Sequence, residues 1–196
     1  MKIIILVFGL ILFYLISYSQ QTGTFKDTRD GHVYKTVTIG TQTWFAENLA
    51  YKTESGCWAY NNNDNNVSIY GRLYNWETAK TVCPVGWHLP SKMEWDTLIN
   101  NLGGSGLAGG LLKSTKFWSN PNFGATNKSG FNALPAGSYS QFHNSFDFIG
   151  SYAWFLSSTL DRYDNIINYR LSSSYIGIDC NGFDKQNGYC IRCVKD

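Results

Sequence analysis

The chain has 196 residues, of which 43% are apolar, 16% aromatic and only 15% charged. That is enough apolar surface for one domain with a real core, and 7 Trp, 13 Tyr and 12 Phe exclude a disordered chain. A formal charge of +2, without a run of five basic residues, excludes the electrostatic footprint of a DNA- or RNA-binding protein.

Lys2 followed by an apolar stretch from Ile3 to Ile16 reads as the charged and apolar regions of a signal peptide. Small residues at Ser17 and Ser19 place the cleavage before Gln20. The stretch would span ~21 Å as a helix, short of a ~30 Å hydrocarbon core. Residues 1–19 are therefore expected to be removed on export, leaving no membrane span, and the protein to be secreted or held in the periplasm or on the cell surface of a bacterium. Residues 20–30 read as an extended lead-in and residues 31–196 as the domain.

From His32 to Ile39 the chain alternates, with Val33, Lys35, Val37 and Ile39 on one face. Gly40-Thr41-Gln42 then turns it into a second strand over Thr43–Ala46, which is a hairpin signature. Asn61 to Asn66 is a polar loop. Helical signals are confined to residues 74–102. Trp76, Ala79 and Cys83 recur at helical spacing behind an Asn75 cap, and Pro84 ends that element. Ser91 and Glu94 form a capping box, and Trp95, Leu98, Ile99 and Leu102 make the apolar stripe that Gly103-Gly104 stops. Past residue 103 short aromatic and β-branched runs alternate with Gly, Asn and Ser, and no further helix is expected.

Five cysteines, at 57, 83, 180, 190 and 193, make an odd number, so at least one is free or intermolecular, and counting alone cannot choose among the pairings. The C-terminal run Tyr189–Val194 reads as a closing strand, with Tyr189, Ile191 and Cys193 facing inward and Cys190 and Arg192 outward. Opposite faces argue against a Cys190–Cys193 bond and against a shared metal.

The stretch Trp76-x2-Ala79-x3-Cys83-x2-Gly86-x2-Leu89-Pro90-Ser91-x2-Glu94-Trp95 resembles the paired-helix core of C-type-lectin-like domains. Its Leu-Pro-Ser-x2-Glu-Trp portion is similar to the formylglycine-generating-enzyme branch of that fold. The opening Asp30-Gly31-x2-Tyr34-Lys35-Thr36-Val37-x-Ile39-Gly40-x-Gln42-x-Trp44-x-Ala46-Glu47-Asn48-Leu49 resembles the Fibrobacter succinogenes major paralogous domain family. Tyr70–Trp76, Cys83–Ser91, Gly130–Pro135, Ser157–Thr159 and Arg192–Asp196 extend that resemblance over residues ~25–196. It implies an α+β, C-type-lectin-like mixed fold: two helices packed on small twisted antiparallel sheets, with a long loop region. It also implies a Cys83–Cys193 disulfide. Cys180 and Cys190, ten apart around a Gly/Asn turn, are the expected second pair, which leaves Cys57 as the free thiol.

Gly104-x-Gly106-x-x-Gly109 matches a dinucleotide fingerprint only literally, because a helix rather than a strand precedes it. Asn62-x-Asp64-x-Asn66-x-Ser68 alternates oxygen ligands but lacks the Gly and the distal Glu of a calcium loop. Asp147, Asp161, Asp164 and Asp179 could add ligands if the loops converged, but no complete motif supports calcium, so neither a metal nor another cofactor is expected. Glu94 is accounted for by the capping box and Glu47 as a turn or strand-end partner. A thiol-dependent oxidase related to formylglycine-generating enzymes is the enzymatic alternative, through Cys190 and Cys193; the strand argument separates those two thiols. The reading that remains is a non-catalytic module binding a polysaccharide or a cell-envelope protein through aromatic loops. Trp118 and Tyr163, each among polar neighbours, are the expected exposed contacts, and Trp154 is expected in the core.

Overall fold

The structure, a computed structural model, describes residues 20–196; the signal-peptide reading lies outside them. β1 (Gln21–Lys26), β2 (Val33–Ile39) and β3 (Gln42–Phe45) open the domain as an antiparallel meander. The 20–30 segment is thus extended but not merely a lead-in, since β1 pairs with β2 along its whole length. The hairpin turns at Gly40, as expected from its residues.

β4 (Cys57–Trp58), two 3₁₀ turns, α1 (Val67–Tyr70) and β5 (Leu73–Tyr74) lead into α2 (Trp76–Val82). There the Asn75 side chain accepts from the Thr78 amide, and Pro84 follows the helix end. β6 (Trp87–His88) precedes α3 (Lys92–Asn101), whose Ser91/Glu94 capping box is complete. α4 (Ser105–Leu112) was not expected. With α1, it raises the expected two helices to four short ones among the described residues. Its glycines have a packing reason. A Cβ on Gly109 would run into the Gly177 carbonyl and one on Gly110 into the Gly124 carbonyl, so α4 lies against backbone that only glycine admits. Residues 113–137 hold no regular element. β7 (Ser138–Ser140), β8 (Ser145–Asp147), β9 (Tyr152–Leu160), β10 (Ile166–Ser172), β11 (Asp179–Phe183) and β12 (Val194–Lys195) complete the chain.

The strands form small antiparallel sheets: β1-β2-β3-β12-β6, β11-β10-β9, and the pairs β4-β5 and β7-β8. Two apolar clusters fill the space between them. Trp44, Trp95, Phe131, Phe155 and Tyr169 centre one, and Tyr34, Phe45, Trp76, Trp87 and Leu156 the other. Both faces of β2 therefore meet core: on the Val33–Ile39 face only Val37 and Ile39 are buried while Val33 and Lys35 are exposed, and Tyr34 on the other face is buried in the second cluster.

The C-terminal segment runs between the two clusters. Tyr189, Ile191 and Cys193 enter one, as expected, but Cys190 and Val194 enter the other. Cys190 and Arg192 are therefore buried rather than outward, because the opposite face of this segment is also core. Its backbone is stitched to both sides: Leu49 and Phe45 amides donate to the Ile191 and Cys193 carbonyls, Leu156 donates to the Cys190 carbonyl, and Tyr74 and Tyr189 exchange bonds.

Cys83 and Cys193 form the disulfide, with Cα atoms 6.0 Å apart and 110 residues between them in sequence. In the chain-entropy view a closed loop of that length stabilises the fold by ~4–5 kcal/mol. Cys57, Cys180 and Cys190 are free thiols. The expected Cys180–Cys190 pairing is corrected by strand order. Cys180 sits opposite Tyr169, Tyr169 opposite Phe155, and Phe155 opposite Cys190. Three inter-strand steps of ~4.8 Å put the two thiols ~14 Å apart, beyond any disulfide.

Candidate functional site

A cleft of about 460 Å³ opens where the segment after β3, α1 and the irregular stretch after α4 meet. That volume lies within the range of small-ligand sites. Asn48 and Asn132 line it, and both are anchored from beneath by Arg192. The guanidinium is fully buried, and its partners are all uncharged oxygens. Nε donates to Asn48 Oδ1 at 2.7 Å, Nη2 to the Asn132 carbonyl at 2.8 Å, and Nη1 to the Phe45 carbonyl at 3.1 Å and to the Phe131 carbonyl. The Phe131 and Phe155 rings flank it at 4.6 and 5.6 Å, so cation–π attraction adds to the carbonyl dipoles. Burial pulls its pKa down to about 9, with Cys190 and Glu47 acting in the opposite direction. At neutral pH it remains a cation under the cleft.

Most polar groups of the cleft wall are already engaged. The Asn48 carboxamide is fully committed, to Arg192, to the Tyr70 carbonyl at 2.8 Å and to Cys190 Sγ at 3.5 Å. Asn132 donates its backbone amide to Asn127 Oδ1 at 2.8 Å and gives its carbonyl to Arg192, which leaves its carboxamide for a ligand. Glu47 is taken: it accepts from the Lys35 amide at 3.1 Å and pairs with the Lys35 ammonium at 3.6 Å, the strand-end role its position implied.

Phe117 forms the lip. Its φ is +70° and 52% of its surface is exposed, a conformation that costs a bulky L-residue ~1–2 kcal/mol. Asn127 and Asn132 share the left-handed region, at φ 51° and 54°; amides tolerate it better than a bulky ring does. Backbone held this way at one cleft, with an aromatic ring presented to solvent, is strain of the kind that collects at ligand sites.

Of the two expected contact residues, Trp118 is corrected. It is 8% exposed, belongs to the first apolar cluster, and donates Nε1–H to the Ala133 carbonyl at 2.9 Å. Its polar neighbours in sequence mark a loop, not a surface side chain. Tyr163 is 68% exposed on the turn between β9 and β10, with the Arg162 guanidinium 4.6 Å over its ring, and it does not line the cleft. Trp154 is in the core, as expected.

The candidate calcium ligands do not converge. Asp64 pairs with Arg72, Asp164 with Lys185 and Asp179 with Arg170, while Asp161 accepts the Tyr163 and Asn165 amides and Asp147 the Ser145 hydroxyl. Neither C-terminal cysteine presents a ready thiolate. Cys193 is bonded to Cys83, and burial pushes the Cys190 thiol up to about 12 despite the Arg192 cation, far from the thiolate form that reacts.

Two ionic clusters escaped sequence reading. His88 lies between two carboxylates, Nδ1 against Asp196 at 2.6 Å and Nε2 against Glu94 at 2.7 Å, so the capping-box Glu94 has a second task. Lys113 is fully buried, and its ammonium donates to the Phe123, Ser172 and Tyr175 carbonyls at 2.9, 2.8 and 2.8 Å. Burial pulls its pKa down to about 8, so at neutral pH the ammonium is still mostly charged and ties α4 to two loops.

Fold and site together define a class: a small α+β domain closed by one disulfide, with a polar cleft laid over a buried guanidinium. The chain belongs to the family described as the Fibrobacter succinogenes major domain, whose sequence profile matches residues 37–195. No curated protein and no solved structure matches it.

Proposed function

We propose that this protein is an exported, non-catalytic recognition module on a C-type-lectin-like scaffold, and that its cleft binds a glycan. The observation that carries the reading is the cleft wall, where the Asn132 carboxamide stands near an aromatic lip, Phe117, held at positive φ. Carboxamides bond the hydroxyls of a sugar, and an aromatic face packs on its C–H face. Two further observations support the reading. The Cys83–Cys193 disulfide suits an oxidising compartment, and the C-terminal thiols are in no state to act as nucleophiles.

A glycan array with the chain starting at Gln20 tests the binding reading. Binding to a defined set of saccharides, lost in Phe117→Gly and Asn132→Ala, is the expected result. Capture of an envelope protein with no saccharide bound would shift the reading to a protein partner, and turnover of a thiol peptide would restore the oxidase alternative. The intact mass of exported protein tests the leader: an N-terminus at Gln20 is expected, and Lys2 retained would mean an anchor.

A further inference from the structure

The charges around the cleft are unequal, and they name a ligand class. Glu47 is the carboxylate among the lining residues, and it is held by Lys35 through both its oxygens. Lys116, on the rim beside Phe117, is exposed and pairs with no carboxylate among the described residues. Beneath the floor, Arg192 is hydrogen-bonded by carboxamide and carbonyl oxygens alone, and the carboxylate it feels through space, Glu47, is itself paired with Lys35. Dipoles solvate a cation without cancelling its net charge, and low-dielectric surroundings let its field reach the cleft. Asn48 and Asn132, which line the cleft, are the groups that Arg192 bonds from beneath, through the Asn48 carboxamide and the Asn132 carbonyl.

We infer that the ligand carries a carboxylate: the cleft takes an acidic glycan, with a uronic acid whose carboxylate meets Lys116 and whose ring face lies on Phe117. The inference rests on the glycan reading above and adds a sign to it. The geometry assigns the cation to the same rim as the aromatic ring, as a sugar bearing its charge on an exocyclic carbon requires. Arg192 has no free role in contact; it sets the potential and holds Asn48 and Asn132 in place.

The test uses the chain from Gln20 and a panel of polyuronate oligosaccharides (polygalacturonate, alginate and hyaluronate), each beside the same material with its carboxylates reduced to alcohols. At least one acid form should bind, and reduction should weaken it about fivefold or more, the worth of one partly screened ion pair. Rising salt should erode the difference. Lys116→Gln, at an exposed position that leaves the fold intact, should lose affinity for the acid form and keep whatever affinity the reduced form shows. Equal binding of acid and reduced forms would overturn the charge assignment while leaving the glycan reading standing. Binding of neutral saccharides alone would do the same. Failure of every saccharide would overturn both.

Discussion

Replacing Lys113 by Met removes one charge and leaves three carbonyls without their donor, and the two effects oppose each other. The ammonium's bonds to the Phe123, Ser172 and Tyr175 carbonyls are charge-assisted, worth ~1.5–3 kcal/mol each. Against them stands the burial cost that pulls the lysine from 10.5 to about 8, ~3 kcal/mol at 1.36 kcal/mol per pKa unit, which vanishes with the charge. Met fills most of the stem's volume, so little cavity is added. The net is a loss of about 3 kcal/mol, and for a domain of this size a fall in Tm of roughly 10 °C. Urea unfolding followed by tryptophan fluorescence measures it directly. Limited proteolysis should show residues 120–125 and 172–177 cut first, because these are the segments the ammonium ties to α4. A Lys113→Met protein as stable as the parent, or more so, would show that desolvation outweighs the three bonds and would refute the account of how the long loop region is held.

The His88 clasp makes stability depend on pH. Burial lowers the His88 pKa, but the hydrogen bonds and charges of Asp196 and Glu94 outweigh it and the net shift is upward; this contribution is complete below ~6.5 and fades as pH rises through the folded value. Glu94 is shifted downward, its burial outweighed by Ser91 and His88, so its own contribution disappears at acid pH; His88→Gln should flatten the alkaline side of a Tm-against-pH curve, and an unchanged curve would remove the clasp. The double substitution Cys83→Ser, Cys193→Ser should cost ~4–5 kcal/mol in urea unfolding, as a loop of 110 residues implies, and should match the parent measured in reductant. Phe117→Gly should raise stability by ~1 kcal/mol, since glycine relieves the positive φ, while it abolishes glycan binding; a loss of stability would mean the ring is a packing group.

What was legible in the residues was local. The capping box of Ser91 and Glu94 and the turn at Gly40 depend on residues within four of each other, and the structure keeps both. α4 was not legible because Ser-Gly-Leu-Ala-Gly-Gly-Leu-Leu has poor helix propensity and no side-chain cap. It is a helix because its glycines fit against distant backbone. Period-two alternation in Tyr189–Val194 was real, but alternation says only that two faces differ, and here the second face is core as well. Arg192 reads as outward-facing, and nothing beside Lys113 in sequence marks it as buried; carbonyls brought from 60 to 147 residues away in sequence, for Arg192, and 10 to 62, for Lys113, surround them. The cleft had no contiguous motif for the same reason: its walls come from residues near 48, 69, 116 and 132.

The position of the C-terminal segment also dictates an order of events. β3 finds its partner β12 far along the chain, Trp44 opposite Val194, and the core-facing residues 189–193 are synthesised after the elements they pack between. The opening hairpin can form early, yet neither core can close around its centre until residues 189–194 arrive. Contacts so distant in sequence make folding slow. Until then, the aromatic rings of both clusters stand without the segment that packs between them. That segment can insert only after the elements around it exist, and oxidation of Cys193 onto Cys83 follows its insertion.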